Sequence, residues 1–119
     1  MCFMVQKTIL GLVEEVVLFG PQGKKAKVLA RIDTGATSSS LDSALAKKLE
    51  LHSSTKTKTI RSASGTKKRP MVTVTIQLRQ NTLNQEFTLV DRAHMTYPVL
   101  IGQNILTKGK YLIDPLLPL

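Results

Sequence analysis

Apolar and polar residues alternate most regularly over residues 71–79, where Val72, Val74, Ile76 and Leu78 interleave with Thr73, Thr75, Gln77 and Arg79. A period of two places one set on the buried face of a β-strand and the other toward solvent. Residues 24–32 repeat the pattern: Ala26, Val28, Ala30 and Ile32 share one face, and Lys25, Lys27, Leu29 and Arg31 share the other. This predicts a half-buried strand with a basic outer face. Residues 7–19 are rich in Ile, Leu and Val and read as one strand, or two joined at Gly11. With the turn Gly20-Pro21-Gln22-Gly23 they form a hairpin with 24–32. Residues 85–90 alternate more weakly after a turn around Asn81 to Asn84, residues 98–101 are a short apolar run ending at Gly102, and residues 110–113 give a final strand.

Two segments read as helices. Leu41, Leu45 and Leu49 fall at helical spacing behind a Ser40 cap, predicting a helix over 41–50, and a second short helix covers 103–107. Asp33 to Ser40 is a loop of small polar residues. Residues 52–69 are polar and basic: the Thr-Lys-Thr-Lys-Thr run at 55–59 suggests an exposed strand, and Ser62-Ala63-Ser64-Gly65-Thr66 a hairpin tip. Many short strands with one or two short helices predict an all-β domain, a closed or nearly closed barrel.

At 119 residues the chain makes one domain with one core. Aromatic residues are 4% of the chain and Trp is absent, so the core must be aliphatic. The formal charge is +9 and is spread evenly, with nine basic and five acidic residues over 1–60 against eight and three over 61–119. Such a surface favours acidic partners, and it also serves simple solubility. The five Phe and Tyr residues are scattered rather than interleaved with the cations, which argues against a stacking surface for nucleic acid. Cys2 is the only cysteine, so no intrachain disulfide forms; its place near a terminus, with no base nearby in sequence, argues against a nucleophile. The N-terminal apolar stretch is interrupted by Glu14 and Glu15 and has neither signal-peptide nor membrane-span character, so a soluble cytoplasmic protein with no membrane association is expected.

The chemistry concentrates in Asp33-Thr34-Gly35-Ala36, which follows the apolar strand Ala30-Arg31-Ile32. Asp-Thr-Gly alone is also an ordinary turn. At a strand end, inside a Ser/Thr-rich loop, it presents a carboxylate among neighbours small enough for two such loops to approach. Two carboxylates brought together share one proton, so one acts as base and the other as acid. The chain holds one triplet and hence half of such a pair. No zinc ligand set is spaced along the chain: His52 and His94 are the only histidines and lie far apart, and no His-Glu-x-x-His or phosphate-binding Gly-rich loop occurs. Neither a metal nor another cofactor is expected.

Three segments together resemble a known family: Ala30 to Leu41 around Asp33-Thr34-Gly35; Arg69-Pro70-Met71-Val72; and Asp91-Arg92 through Met95 and Tyr97-Pro98-Val99-Leu100-Ile101-Gly102 to Ile113-Asp114-Pro115. The chain is similar to retropepsin-like aspartic peptidases, in particular the family labelled "putative ATP-dependent zinc protease" that is associated with the glutamate ligase RimK. That family often carries a His where this chain has Asp42, which reads here as serving the helix start. The resemblance implies that Asp33 is the catalytic aspartate, that Thr34 bonds across a homodimer, and that Gly35 and Ala36 let a substrate backbone lie close. It implies that Leu100, Ile101 and Gly102 pack beside the site. It also implies a flap over about 61–69, with Arg61, Ser62, Ala63, Ser64, Gly65, Lys67, Lys68 and Arg69 at the substrate. The expected function is an aspartic endopeptidase acting on acidic or glutamate-tailed proteins, ribosomal proteins included. The alternative is a non-catalytic dimeric module that engages ribosome or RNA through its basic surface.

Overall fold

The computed structural model describes residues 7–53, 56–62 and 65–119. Cys2, Phe3 and the expected flap-tip residues Ala63 and Ser64 lie outside the described residues. Among the described residues, nine strands and two short helices follow in chain order: β1 (Ile9–Leu10), β2 (Val13–Phe19), β3 (Lys25–Ile32), β4 (Ser39–Asp42), α1 (Ser43–Lys48), β5 (Thr57–Ser62), β6 (Gly65–Leu78), β7 (Asn81–Val90), β8 (Val99–Ile101), α2 (Gln103–Lys108) and β9 (Leu112–Ile113).

Six strands close on themselves in the order β2-β3-β8-β4-β7-β6, and β6 returns to pair with β2. The result is a closed six-stranded barrel, as the many short strands predict. Closure leaves no unpaired edge in the ring. The β2–β3 hairpin is antiparallel, with Val16 opposite Val28, and its turn passes through Gly23 at φ +81°. The segment 7–19 thus divides near Gly11, into β1 and β2. Two pairings are parallel, β3 with β8 and β4 with β7. β1 and β9 form a separate two-stranded parallel ribbon.

The alternation read from the sequence is the alternation of burial. Val72, Val74, Ile76 and Leu78 of β6 and Ala30 and Ile32 of β3 are buried, while Lys25, Lys27, Arg31, Thr73 and Gln77 are exposed. Among the described residues the core is aliphatic apart from Phe87, which is fully buried, and Tyr111. Tyr111 satisfies its hydroxyl by accepting from Asn81 Nδ2 at 3.0 Å and donating to the Leu78 carbonyl at 3.4 Å.

Besides the turn expected around Asn81 to Asn84, which is instead the start of β7, two expectations are corrected. The first helix begins at Ser43, not at residue 41, and Asp42 rather than Ser40 caps it, its carboxylate accepting from Leu45 N at 3.3 Å. Residues 39–42 are instead a strand, because β7 and β8 pair with them on both sides. The second concerns β6, which begins at Gly65 and runs unbroken to Leu78 rather than starting at residue 71. Its first half pairs with β5, and pairing with β7 starts at Met71. Pro70 falls just before that second ladder, so its missing N–H costs no bond to β7.

Candidate active site

Asp33 is the residue after β3, and its backbone N–H donates to the Ile101 carbonyl at 2.9 Å. That bond extends the β3–β8 ladder by one residue, so the carboxylate starts from a rigid strand end. The loop then folds around it. Asp33 Oδ1 accepts from Gly35 N at 2.9 Å, and the Asp33 carbonyl accepts from Ala36 N at 3.3 Å. This is the local turn that an aspartate two residues before a glycine makes with its own backbone. Oδ2 has no hydrogen-bond partner among the described residues. Asp33 is half-buried and Thr34 and Gly35 are exposed, so the acid sits at an open surface.

The start of α2 clamps this loop from the other side. Gln103 N donates to the Ala36 carbonyl at 2.7 Å, and Gln103 Nε2 donates to the Thr34 carbonyl at 2.7 Å. Gly102 lies under the loop. A Cβ built there would overlap the Ser38 carbonyl oxygen and come within 2.8 Å of the Ala36 carbonyl oxygen. Its backbone is extended, at φ −103° and ψ −170°, so close approach rather than backbone conformation requires glycine. Ser39, fully buried, ties the same parts together: its Oγ accepts from Gly102 N at 2.9 Å and donates to Asn104 Oδ1 at 2.7 Å. Asn104 Nδ2 in turn donates to the Glu86 carbonyl on β7 at 3.0 Å.

A cleft of about 350 Å³ adjoins the loop, lined by its residues Gly35 to Ser38, by Ser40, Thr88 and Leu100, and by Ile60, Arg69 and Arg92. The β5–β6 hairpin forms its upper wall. In the hairpin's register Lys58 lies opposite Arg69 and Ile60 opposite Lys67, and these four share one face. Arg61, Thr59, Thr66 and Lys68 share the other face and are exposed. Arg92, 8% exposed, stands in the lower wall. Its Nε donates to the Tyr97 carbonyl at 2.9 Å and its Nη1 to Ser40 Oγ at 3.2 Å. Burial pushes the Arg92 guanidinium below its ordinary value; the charge of Asp42 opposes that shift, and the charge of Arg69 adds to it.

The structure therefore brings Asp33, Thr34, Gly35 and Ala36 together with Leu100, Ile101 and Gly102. It sorts the expected flap residues by face. Arg69 reaches the cleft, Lys67 shares its side, and Arg61 and Lys68 face away. Ser62 pairs with Gly65 at the described end of the hairpin, where Gly65 has φ +125°. Sequence reasoning missed Ser39, Arg92, Gln103 and Asn104 as parts of the site. Only the polar pair directly after Gly102 hinted at a role, and polar residues are ordinary in a first helical turn. His52 and His94 are both exposed, and no cluster of three His, Cys, Asp or Glu residues that could hold a metal occurs among the described residues. No described helix is long and apolar enough to cross a membrane.

Residues 45–118 match the RimB-like family, described as retropepsin-like aspartic endopeptidase RimB. The matched segment includes Arg92 and Gly102 to Asn104 and begins after the Asp33 loop. Among curated proteins, none matches the chain. Solved structures share the fold. A protein of unknown function from Legionella pneumophila superposes with a TM-score of 0.68 at 24% identity, covering 94% of this chain and 96% of its own. The EIAV protease, solved in complex with an inhibitor, gives 0.62 at 17% identity over 86% of this chain and 90% of its own. The simian foamy virus protease gives 0.58 at 19% identity over 90% and 99%.

Proposed function

Because the chain belongs to the RimB-like family of retropepsin-like aspartic endopeptidases, we propose that it hydrolyses peptide bonds as a homodimer, each protomer supplying one Asp33 to a shared dyad. The observation that carries this reading is the placement of Asp33: a carboxylate at a strand end, with its loop pinned by Ile101 and Gln103 and its Oδ2 unengaged. A two-fold interface sets identical loops face to face, which is the geometry a symmetric dyad needs. Thr34, exposed beside Asp33, would lie at that interface, and the β1–β9 ribbon with its flanking residues supports burial there: Ile9 and Leu112 in the strands and Leu12 and Leu116 beside them are exposed.

In the dyad the ionised carboxylate takes a proton from water as the water oxygen attacks the peptide carbonyl carbon. The protonated carboxylic acid donates to the carbonyl oxygen. The resulting tetrahedral diol collapses as the nitrogen takes the proton from the carboxyl that now holds it, a diol hydroxyl gives its proton to the ionised carboxylate, and the C–N bond breaks, so the dyad again holds one proton. The substrate would lie extended between the Asp33 loop and the β5–β6 hairpin. The cations around that space suit acidic or glutamate-tailed proteins.

The test pairs two measurements on the full chain. Light scattering across a concentration series should give the mass of a dimer, and wild-type protein should cleave a peptide library that Asp33→Asn leaves intact. Cleavage that survives Asp33→Asn would sink the assignment. A second reading is favoured by the charge of +9 and the hairpin cations: a dimeric scaffold that engages ribosome or RNA without cleavage. It predicts that Asp33→Asn retains RNA binding and that wild type cleaves nothing.

A further inference from the structure

Arg92 and Arg69 both line the cleft beside the Asp33 loop, close enough for their charges to interact, and the residues lining that cleft include no acid. Four ion pairs occur among the described residues, and neither arginine takes part in any of them. The nearest candidate partner, Asp42, is already engaged by backbone donors: Oδ1 accepts from Arg92 N at 2.9 Å and Oδ2 from Leu45 N at 3.3 Å. Arg92 spends Nε and Nη1 on Tyr97 and Ser40, which fix the guanidinium plane. Nη2 has no partner, yet no sealed side-chain nitrogen or oxygen among the described residues lacks one. Nη2 is therefore open, and the space beside it is the cleft. Arg69, half-buried on the hairpin's inner face, pairs through its backbone with Lys58, but its side chain forms no hydrogen bond among the described residues and lines the same cleft.

Two guanidiniums held near each other without an anion repel, and the arrangement costs stability unless something negative visits. Their fork geometry suits a carboxylate, which can accept from both. We propose that Arg69 and Arg92 form a carboxylate subsite that binds an acidic group of the peptide occupying the cleft and sets the register of that peptide against Asp33. The carboxylate comes either from a Glu or Asp side chain or from the peptide's own C-terminus. This subsite rests on reading the cleft as the peptide site. It narrows the cationic selectivity to two residues, leaving the outward Arg61 and Lys68 without a part in it.

The experiment measures binding rather than turnover, so it stands apart from the peptidase reading. Fluorescently labelled decapeptides are titrated by anisotropy into the full-length Asp33→Asn protein. Glu-containing and Gln-containing versions are compared, each with a free and an amidated C-terminus. The Glu peptide should bind at least tenfold more tightly than its Gln twin, as charge-assisted hydrogen bonds require. Arg69→Gln should remove about tenfold of that affinity and leave the Gln peptide unchanged, and Arg92→Lys should do the same in smaller measure. The double change Arg61→Gln with Lys68→Gln should leave the Glu-to-Gln ratio as it is. If amidation rather than the Glu-to-Gln exchange carries the effect, the carboxylate is terminal and the subsite still stands. Equal binding of all four peptides would overturn the proposal. So would an equal loss from the outward-facing pair, which would mean diffuse attraction. Wild-type cleavage of the same peptides reports separately on the peptidase reading.

Discussion

Gly102→Ala tests how the site is built. The added methyl would overlap the Ser38 carbonyl oxygen, and it would stand 2.7 Å from the Ser38 carbonyl carbon and 2.8 Å from the Ala36 carbonyl oxygen. All three atoms are backbone, so no side chain can swing aside. Ordinary separation is ~3.5 Å, and the loop must move on the order of 1 Å to restore it. Overpacking of this kind costs about 1–3 kcal/mol. Because Gly102 is extended, alanine carries no conformational penalty and gains roughly 0.4–1 kcal/mol from a less flexible unfolded chain. The net expectation is a loss of about 1–2 kcal/mol, readable as a lower urea midpoint at unchanged slope. The movement falls on the Asp33 loop itself. A displacement near 1 Å at a reacting group costs about 100-fold, so kcat/KM for any peptide the wild type cleaves should fall by about two orders of magnitude. Equal stability and equal activity in Gly102→Ala would refute the close packing of β8 beneath the loop. Lost stability with intact activity would show that the loop absorbs the strain without moving Asp33.

Other substitutions probe separate parts. Ser39→Ala deletes a buried hydroxyl and strands both Gly102 N and Asn104 Oδ1; it should cost ~1–3 kcal/mol by chemical denaturation. Glu14→Ala removes a carboxylate that is 4% exposed and holds Gly11 N at 2.7 Å and Arg79 Nε at 2.8 Å. Its cost should be about 2 kcal/mol, below the figure for a fully buried pair because water can reach Arg79. Tyr111→Phe gives up the hydroxyl between Asn81 and Leu78 and should lower stability by about 1 kcal/mol. Phe87→Ala empties the centre of the barrel and should cost about 3–5 kcal/mol, enough to leave much of the chain unfolded at 37 °C.

The sequence was legible where structure is local. Strand β2, the end of β3 from Ala30 and the second half of β6 from Val72 bury every second residue, so their alternation survives any tertiary context. The Asp33 turn was legible for the same reason, since its bonds to Gly35 and Ala36 span two and three residues. β4 was not. Ser39-Ser40-Leu41-Asp42 looks like a cap and first turn, and only its pairing with β7 and β8 makes it extended. The clamps on the loop were hidden likewise. Gln103 and Ser39 are unremarkable in composition and acquire their roles from partners more than 60 residues away. Arg92 was noticed only as part of a resemblance, because nothing in a sequence marks an arginine as buried without an acid beside it.

The parallel pairing of β3 with β8 also orders events in time. Synthesis runs from the N-terminus at about 5–20 residues per second, and the Thr34 carbonyl waits for a donor 69 residues further along the chain. For several seconds the nascent chain holds the whole Asp-Thr-Gly triplet with only its own local turn bonds to shape it, since Ile101 and Gln103 have not yet been made. Local strand pairing in the β2–β3 hairpin can proceed meanwhile. A chain cut short before Ile101 would keep the acidic triplet but lose the bonds that position it. The geometry around Asp33 is thus completed only once β8 and the start of α2 have been made.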